Sequence, residues 1–234
     1  VCSSDLLAVT TVAVIAFVSA SNRLIWLPEI AAATGYFENW KLAIDSIDYL
    51  ALGNSPSPVQ HFWSLSAEEQ FYFVWPILVA LGVWLATKLR QNKRAVLFLG
   101  LALLTAASLA YSIYFTHKNP AMAYFVTPTR VWEFGIGALV AFAPRAKVSA
   151  LVARIAFALA FIAIIVSALQ IKPTDAFPGA LALWPTLATA LAIWLWPEGG
   201  LLGRVLGLKP IQVLGDISYS VYLWHWPILI LAPW

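Results

Sequence analysis

The chain has 234 residues, of which 62% are hydrophobic and 11% charged, with a formal net charge of +3. A soluble domain carries about 25% charged residues, so this composition, with a mean hydropathy of +0.82, excludes a water-soluble globular domain and requires lipid to cover much of the apolar surface. The single cysteine, Cys2, excludes an internal disulfide and a zinc cluster, and the small positive charge is assigned to membrane topology, not to a nucleic-acid partner.

Leu6 to Leu27 is long enough to span a bilayer and ends near Arg23, Trp26 and Pro28, where an arginine can snorkel to the interface. Residues 29–60 are mixed, and the apolar patch Ile30 to Phe37 is too short to span. This part reads as an interfacial or re-entrant region leading to the turn-rich Asn54-Ser55-Pro56-Ser57-Pro58. The run His61-Phe62-Trp63-Ser64-Leu65-Ser66-Ala67-Glu68-Glu69-Gln70-Phe71-Tyr72 follows and is the most polar stretch of the chain. Ser66 with Glu69 has the form of a capping box, which predicts a helix from Ala67 with both glutamates in its first turn. A second span runs from Phe71 to Thr87, and Pro76 predicts a kink near Tyr72.

Lys88-Leu89-Arg90-Gln91-Asn92-Lys93-Arg94 is the densest basic cluster and marks a cytoplasmic loop. Span three covers Ala95 to Phe115, and the loop from His117 to Thr129 then falls outside. Span four, Val131 to Ala143, is short and leads to the basic Pro144-Arg145-Ala146-Lys147. Span five covers Ser149 to Ile171, Lys172-Pro173-Thr174-Asp175 is an outer turn, and span six covers Ala180 to Trp196. Glu198 to Lys209 returns inside with Arg204, and span seven covers Ile211 to Ala232. The fold class is an all-α polytopic transmembrane bundle. Alternation of the basic loops puts His61 to Gln70 on the outer face.

Polar groups in so greasy a chain are the candidates for chemistry. His61 with Glu68 and Glu69 reads either as a general base oriented by a carboxylate or as a loop histidine beside a helix start. Arg130 and Glu133 at i, i+3 can pair across one turn, either as a site carboxylate or as a structural ion pair. Glu133, Gly137 and Ala141 share a face and predict a small-residue seam against another helix. Ser218, Tyr222 and His225 form a polar stripe, near Asp216 and Tyr219, that either lines a substrate cavity or bonds between helices. His117 reads as a solvated loop residue. Gly135-Ile136-Gly137 is no nucleotide signature, and neither a phosphate-cradling loop nor metal-ligand spacing occurs.

The run His61 to Tyr72 with Trp75-Pro76 closely resembles the signature of the acyltransferase 3 family of integral-membrane O-acyltransferases. Thr129-Arg130-Val131-Trp132-Glu133 with Gly137-Ala138-Leu139 resembles a later family block, and Ser218 to Pro227 resembles its terminal block. The resemblance implies a bacterial inner-membrane protein of about ten spans, about seven of them legible here. It implies acyl transfer, acetyl from acetyl-CoA in the first place, to a hydroxyl of a cell-envelope or exported carbohydrate. No bound cofactor, metal or nucleic acid is expected; membrane lipid, acyl-CoA and a carbohydrate acceptor are the implied partners. On this reading residues 1–234 are a partial acyltransferase domain with no soluble domain, its first spans, with a histidine the family needs, and its last span expected to lie outside the piece, which alone is expected to be inactive. His61 and Glu133 are the catalytic candidates within it. Trp63, Ser64, Glu68, Glu69, Arg130, Tyr222 and His225 are the candidate substrate contacts. A transporter or flippase of a lipid-linked sugar is the alternative, and a non-enzymatic membrane scaffold the third reading.

Overall fold

The structure, a computed structural model, describes residues 3–52, 56–144, 148–172, 174–195 and 200–233, with side chains described in these ranges except at 47–52 and 200–202. Of the turns read from the sequence, Asn54-Ser55, Arg145-Ala146-Lys147, Pro173 and Glu198-Gly199 lie outside the described residues. Among the described residues every regular element is a helix. They are α1 (Ser3–Phe17), α2 (Ala20–Thr34), α3 (Glu38–Leu52), α4 (Phe62–Lys88), α5 (Lys93–Lys118), α6 (Pro120–Phe125), a 3-10 turn (Thr127–Thr129), α7 (Val131–Phe142), α8 (Ala150–Gln170), α9 (Leu183–Trp194), α10 (Gly200–Leu206) and α11 (Lys209–Leu231). The all-α expectation holds. α4, α5 and α8 are long and apolar enough to cross a membrane, and α1, α7 and α9 are shorter apolar helices. The chain divides into two compact units, Val1–Gln70 with Gly207–Trp234, and Phe71–Leu206.

In the first unit the single span expected over Leu6 to Leu27 is two helices. The chain breaks at Val18 and Ser19, where Ser19 is extended (φ −60°, ψ 152°) at the start of α2. Arg23 Nε donates to the Val18 carbonyl and closes the turn. α1 and α2 pack as a hairpin, with the Ser3 hydroxyl 3.3 Å from the Tyr36 hydroxyl at its open end. Each helix has 15 residues, about 22 Å of rise, which is shorter than a hydrocarbon core of about 30 Å. The region read as interfacial is also helical, as the end of α2 and all of α3. The core of this unit joins Leu6, Val14, Trp26, Ile30, Phe62 and Leu223, so α1, α2, the start of α4 and α11 share one apolar centre.

α4 starts at Phe62, not at Ala67. The turn at 58–61 feeds straight into it, with Phe62 N bonded to Val59 O and Trp63 N to Gln60 O. Ser66 is therefore a fully buried residue inside the helix and not its cap. Glu68 and Glu69 fall in the second turn, where the dipole argument no longer applies. Gln70 fixes the helix to the α2–α3 corner: its amide nitrogen donates to Tyr36 O (2.6 Å) and Asn39 Oδ1 (2.9 Å), and Trp40 Nε1 donates to its oxygen.

In the second unit α5 packs on α7 and α8 on α9. The expected spans match α5, α7, α8 and α9 to within a few residues, and Ser149 caps α8 through Val152 N. The loop after α5 carries α6 and the 3-10 turn. The close-packed glycine of α7 is Gly135, not Gly137. A Cβ on Gly135 would meet Thr105 Cβ at 3.1 Å and Cγ2 at 3.2 Å, whereas Gly137 has open space beside it. α5 presents buried Thr105, Ser108, Ser112 and Thr116 on one face. Ser108 Oγ donates to Pro128 O and accepts from Trp132 N, which locks the start of α7. Arg94 reaches Phe142 O, and Trp194 Nε1 reaches Pro144 O, so the 88–94 and 142–144 turns share one end of the unit. Thr116 holds Gly179 N at the other end.

Candidate active site

The turn at 58–61 places His61 at the mouth of α4, against α11. Its Nε2 lies 3.0 Å from the Leu223 carbonyl oxygen. A carbonyl only accepts, so Nε2 carries the hydrogen and the neutral ring leaves Nδ1 as an acceptor. Nδ1 is buried and has no hydrogen-bond partner among the described residues. Burial pushes the His61 pKa down to about 4, the His225 charge adds to the fall, and the Leu223 bond opposes it. The ring is therefore neutral at pH 7. The expectation of a carboxylate orienting His61 is corrected: a backbone carbonyl orients it, and the charge that acts on it belongs to His225.

Tyr222 completes the clamp. Its hydroxyl donates to the His61 carbonyl oxygen at 2.7 Å. The Ser64 hydroxyl lies within hydrogen-bond distance of both the Tyr222 hydroxyl and the His61 carbonyl oxygen, so the three groups share one small network. Trp226 Nε1 donates to Ser57 O, which pins the segment leading to His61. The His61 ring meets Tyr222 and His225 edge-on, with centroids 5.4 and 5.7 Å away.

His225 is exposed, in contrast to His61. Its Nδ1 lies 2.7 Å from the carbonyl oxygen of Tyr222, one turn back on its own helix. That bond fixes the Nδ1–H tautomer of the neutral ring and turns the basic Nε2 away from the backbone. The two histidines thus hold opposite tautomers, one buried and one open.

The structure brings His61, Ser64, Tyr222 and His225 together. Ser218 does not join them; it is exposed and its hydroxyl bonds back to Gly215 O. Trp63, Glu68 and Glu69 lie half-buried along the first turns of α4.

Arg130 and Glu133 form the expected i, i+3 pair in the second unit, Nη1 to Oε1 at 3.0 Å. Arg130 is buried; its Nε and Nη2 donate to the Tyr124 carbonyl, and its guanidinium carbon lies 5.0 Å from the centroids of the Tyr124 and Phe177 rings. Glu133, Gly137, Phe177, Thr186 and Thr189 line a cavity of about 300 Å³ against α9. Along the expected seam Glu133 and Gly137 therefore line a cavity between α7 and α9, two helices that pack on one another. Among the described residues no three His, Cys, Asp or Glu side chains converge as a metal site would need.

The sequence reading missed Glu29 and Glu38. Both are buried, Glu38 completely. The available signal was an acidic residue just after Pro28 in an apolar stretch, and a second nine residues on.

The chain aligns with BcsY of Komagataeibacter xylinus, provisionally named a membrane-bound transacylase, at 33% identity over 216 residues, which is 92% of this chain and 50% of BcsY. It is 30% identical to YrhL of Bacillus subtilis, provisionally named a peptidoglycan O-acetyltransferase, over 84% of this chain and 32% of YrhL. It is also 30% identical to the peptidoglycan O-acetyltransferase OatA of Listeria monocytogenes, over 84% of this chain and 33% of OatA. The chain thus spans a third to a half of the length of these curated relatives. No solved structure matches it. A family model described as an acyltransferase domain matches residues 6–232. That match covers nearly the whole chain, which belongs to the acyltransferase 3 family of multi-pass membrane proteins.

Proposed function

We propose that this chain is the acceptor-handling part of an O-acyltransferase of a bacterial inner membrane. It moves an acyl group, acetyl in the first place, from acyl-CoA on the cytoplasmic side to a hydroxyl of a cell-envelope carbohydrate on the outer side. The observation that carries the reading is the His61–His225 pair, with ring centroids 5.7 Å apart and complementary tautomers. His61 is too weak a base at about 4 and too enclosed to take a proton from a sugar. It acts as a positioning residue that fixes the signature to α11. His225, with an exposed Nε2, is the general base.

The acyl thioester reaches the acceptor through a polar passage between spans; there the acceptor oxygen attacks the acyl carbonyl carbon, and its proton passes to His225 Nε2. The tetrahedral adduct expels the CoA thiolate, which takes up that proton. Ser64, Trp63, Glu68 and Glu69, on the turns next to His61, contact the acceptor. Glu133, held by Arg130 behind it, offers substrate a polar wall at the 300 Å³ cavity. One Glu133 oxygen is already engaged by Arg130, which favours binding over proton transfer. The relatives reported above carry names of acyl transfer, and this favours the enzyme over the transporter.

The test uses membrane vesicles containing the full-length protein, radiolabelled acetyl-CoA and envelope glycan. Base-labile label should appear on the glycan and fall by about 10²-fold in His225→Gln. Glycan that crosses the bilayer unlabelled would overturn the reading.

A further inference from the structure

Glu29 on α2 and Glu38 at the start of α3 are 8% and 0% exposed, and neither oxygen of Glu38 has a hydrogen-bond partner among the described residues. The Glu29 Oε2 atom is buried in the same state. Two facing carboxylates without donors are not stable out of water while both stay ionised: one must take up a proton or a cation must sit between them. The neighbouring charges do not supply it. Lys41 and Asp45, one and two turns along α3, act on the pair in opposite senses and are bound to each other. The nearby amide of Gln70 spends its hydrogens on Tyr36 and Asn39.

A third group points the same way. Ser57 is 2% exposed, its carbonyl is held by Trp226, and its hydroxyl turns toward Glu29 without a hydrogen bond of ordinary geometry. Glu29 of α2 thus faces both Glu38 of α3 and Ser57 of the segment before His61, and all three residues carry unused oxygens.

We propose that Glu29, Glu38 and Ser57 form a buried monovalent-cation site, held by a proton shared between the two carboxyl groups or by an alkali-metal ion in its place. A single positive charge reduces the pair from two net negative charges to one, and the Ser57 hydroxyl can donate to the carboxyl oxygen that stays ionised. The pKa directions agree: burial raises both groups, and Glu29 raises Glu38 further, to about 10. Ser57 lies four residues before His61, so the site's occupancy sets the order of the α2–α3 corner and of the segment that carries His61.

The test is infrared spectroscopy of the purified protein in detergent at neutral pH. A protonated-carboxyl stretch that disappears in Glu38→Gln, and that fades in the unmodified protein as pH rises toward 10, establishes the proton. Should Glu38→Gln fail to fold, Glu29→Gln and the pH titration of the unmodified protein carry the same reading. A rise in melting temperature specific to sodium over choline, lost in Glu29→Gln or Ser57→Ala, establishes the alkali-metal ion. Absence of both the carboxyl signal and the sodium-specific shift overturns the site.

Discussion

The His61 ring nitrogen Nε2 lies 3.0 Å from the carbonyl oxygen of Leu223, across 162 residues of chain. The family's signature and its terminal block are thereby one structure. Tyr222, next to Leu223, returns the contact by donating to the His61 carbonyl. A side chain and a backbone group from each partner are used, so the clamp resists sliding of α11 along the start of α4.

Replacing Tyr222 with Phe keeps the ring and removes that hydroxyl. The His61 carbonyl and the Ser64 hydroxyl both lose a partner. A stability loss of about 1–2 kcal/mol is expected, read as a lower melting temperature in detergent. Transfer activity should fall with it, and an unchanged melting curve would show that the clamp contributes nothing to the fold.

His61 gives stability a pH dependence of defined sign. Its folded-state pKa, about 4, lies below the ordinary 6.5. The folded state therefore favours the neutral ring, and the contribution is present above pH 6.5 and lost as pH falls through 4. Melting temperature recorded across that window should drop in the unmodified protein and flatten in His61→Gln. Equal slopes in the two proteins would contradict the buried neutral ring.

Gly135 sits against Thr105, where a methyl group has no room. Gly135→Ala should cost about 1–3 kcal/mol, and Thr105→Ala in the same protein should recover part of it. Gly137→Ala faces open space and should be tolerated. Thermal unfolding of the three variants separates a packing effect from a general intolerance of α7 to alanine.

Arg130→Lys tests the second polar cluster. Lysine keeps the charge but cannot reach Glu133 and the Tyr124 carbonyl together while holding its cation over the Tyr124 and Phe177 rings. A loss of about 2 kcal/mol is expected, with a larger fall in transfer than in Tyr124→Leu. Wild-type behaviour would reduce the arginine to a point charge.

Composition and hydrophobic runs determined the helical class, the membrane setting and most span limits by themselves. The reason is local: apolar length and basic flanks act within each segment. The Arg130–Glu133 pair was legible for the same reason, since i, i+3 spacing on one helix decides it. The break at Val18 and Ser19 was not, although Ser19-Ala20-Ser21-Asn22-Arg23 interrupts the apolar run there; a polar patch fits either the end of one span or the turn between two short helices, and the packing of α1 on α2 decides between them. The start of α4 at Phe62 was also hidden. Ser66 and Glu69 satisfy a local capping pattern, but the turn at 58–61 and the burial of Ser66 against its surroundings override it. Likewise only the tertiary structure paired His61 with His225 and closed Glu29, Glu38 and Ser57 on one another. Such contacts join residues tens to hundreds of positions apart, and their chemistry follows from burial, which no stretch of sequence specifies alone.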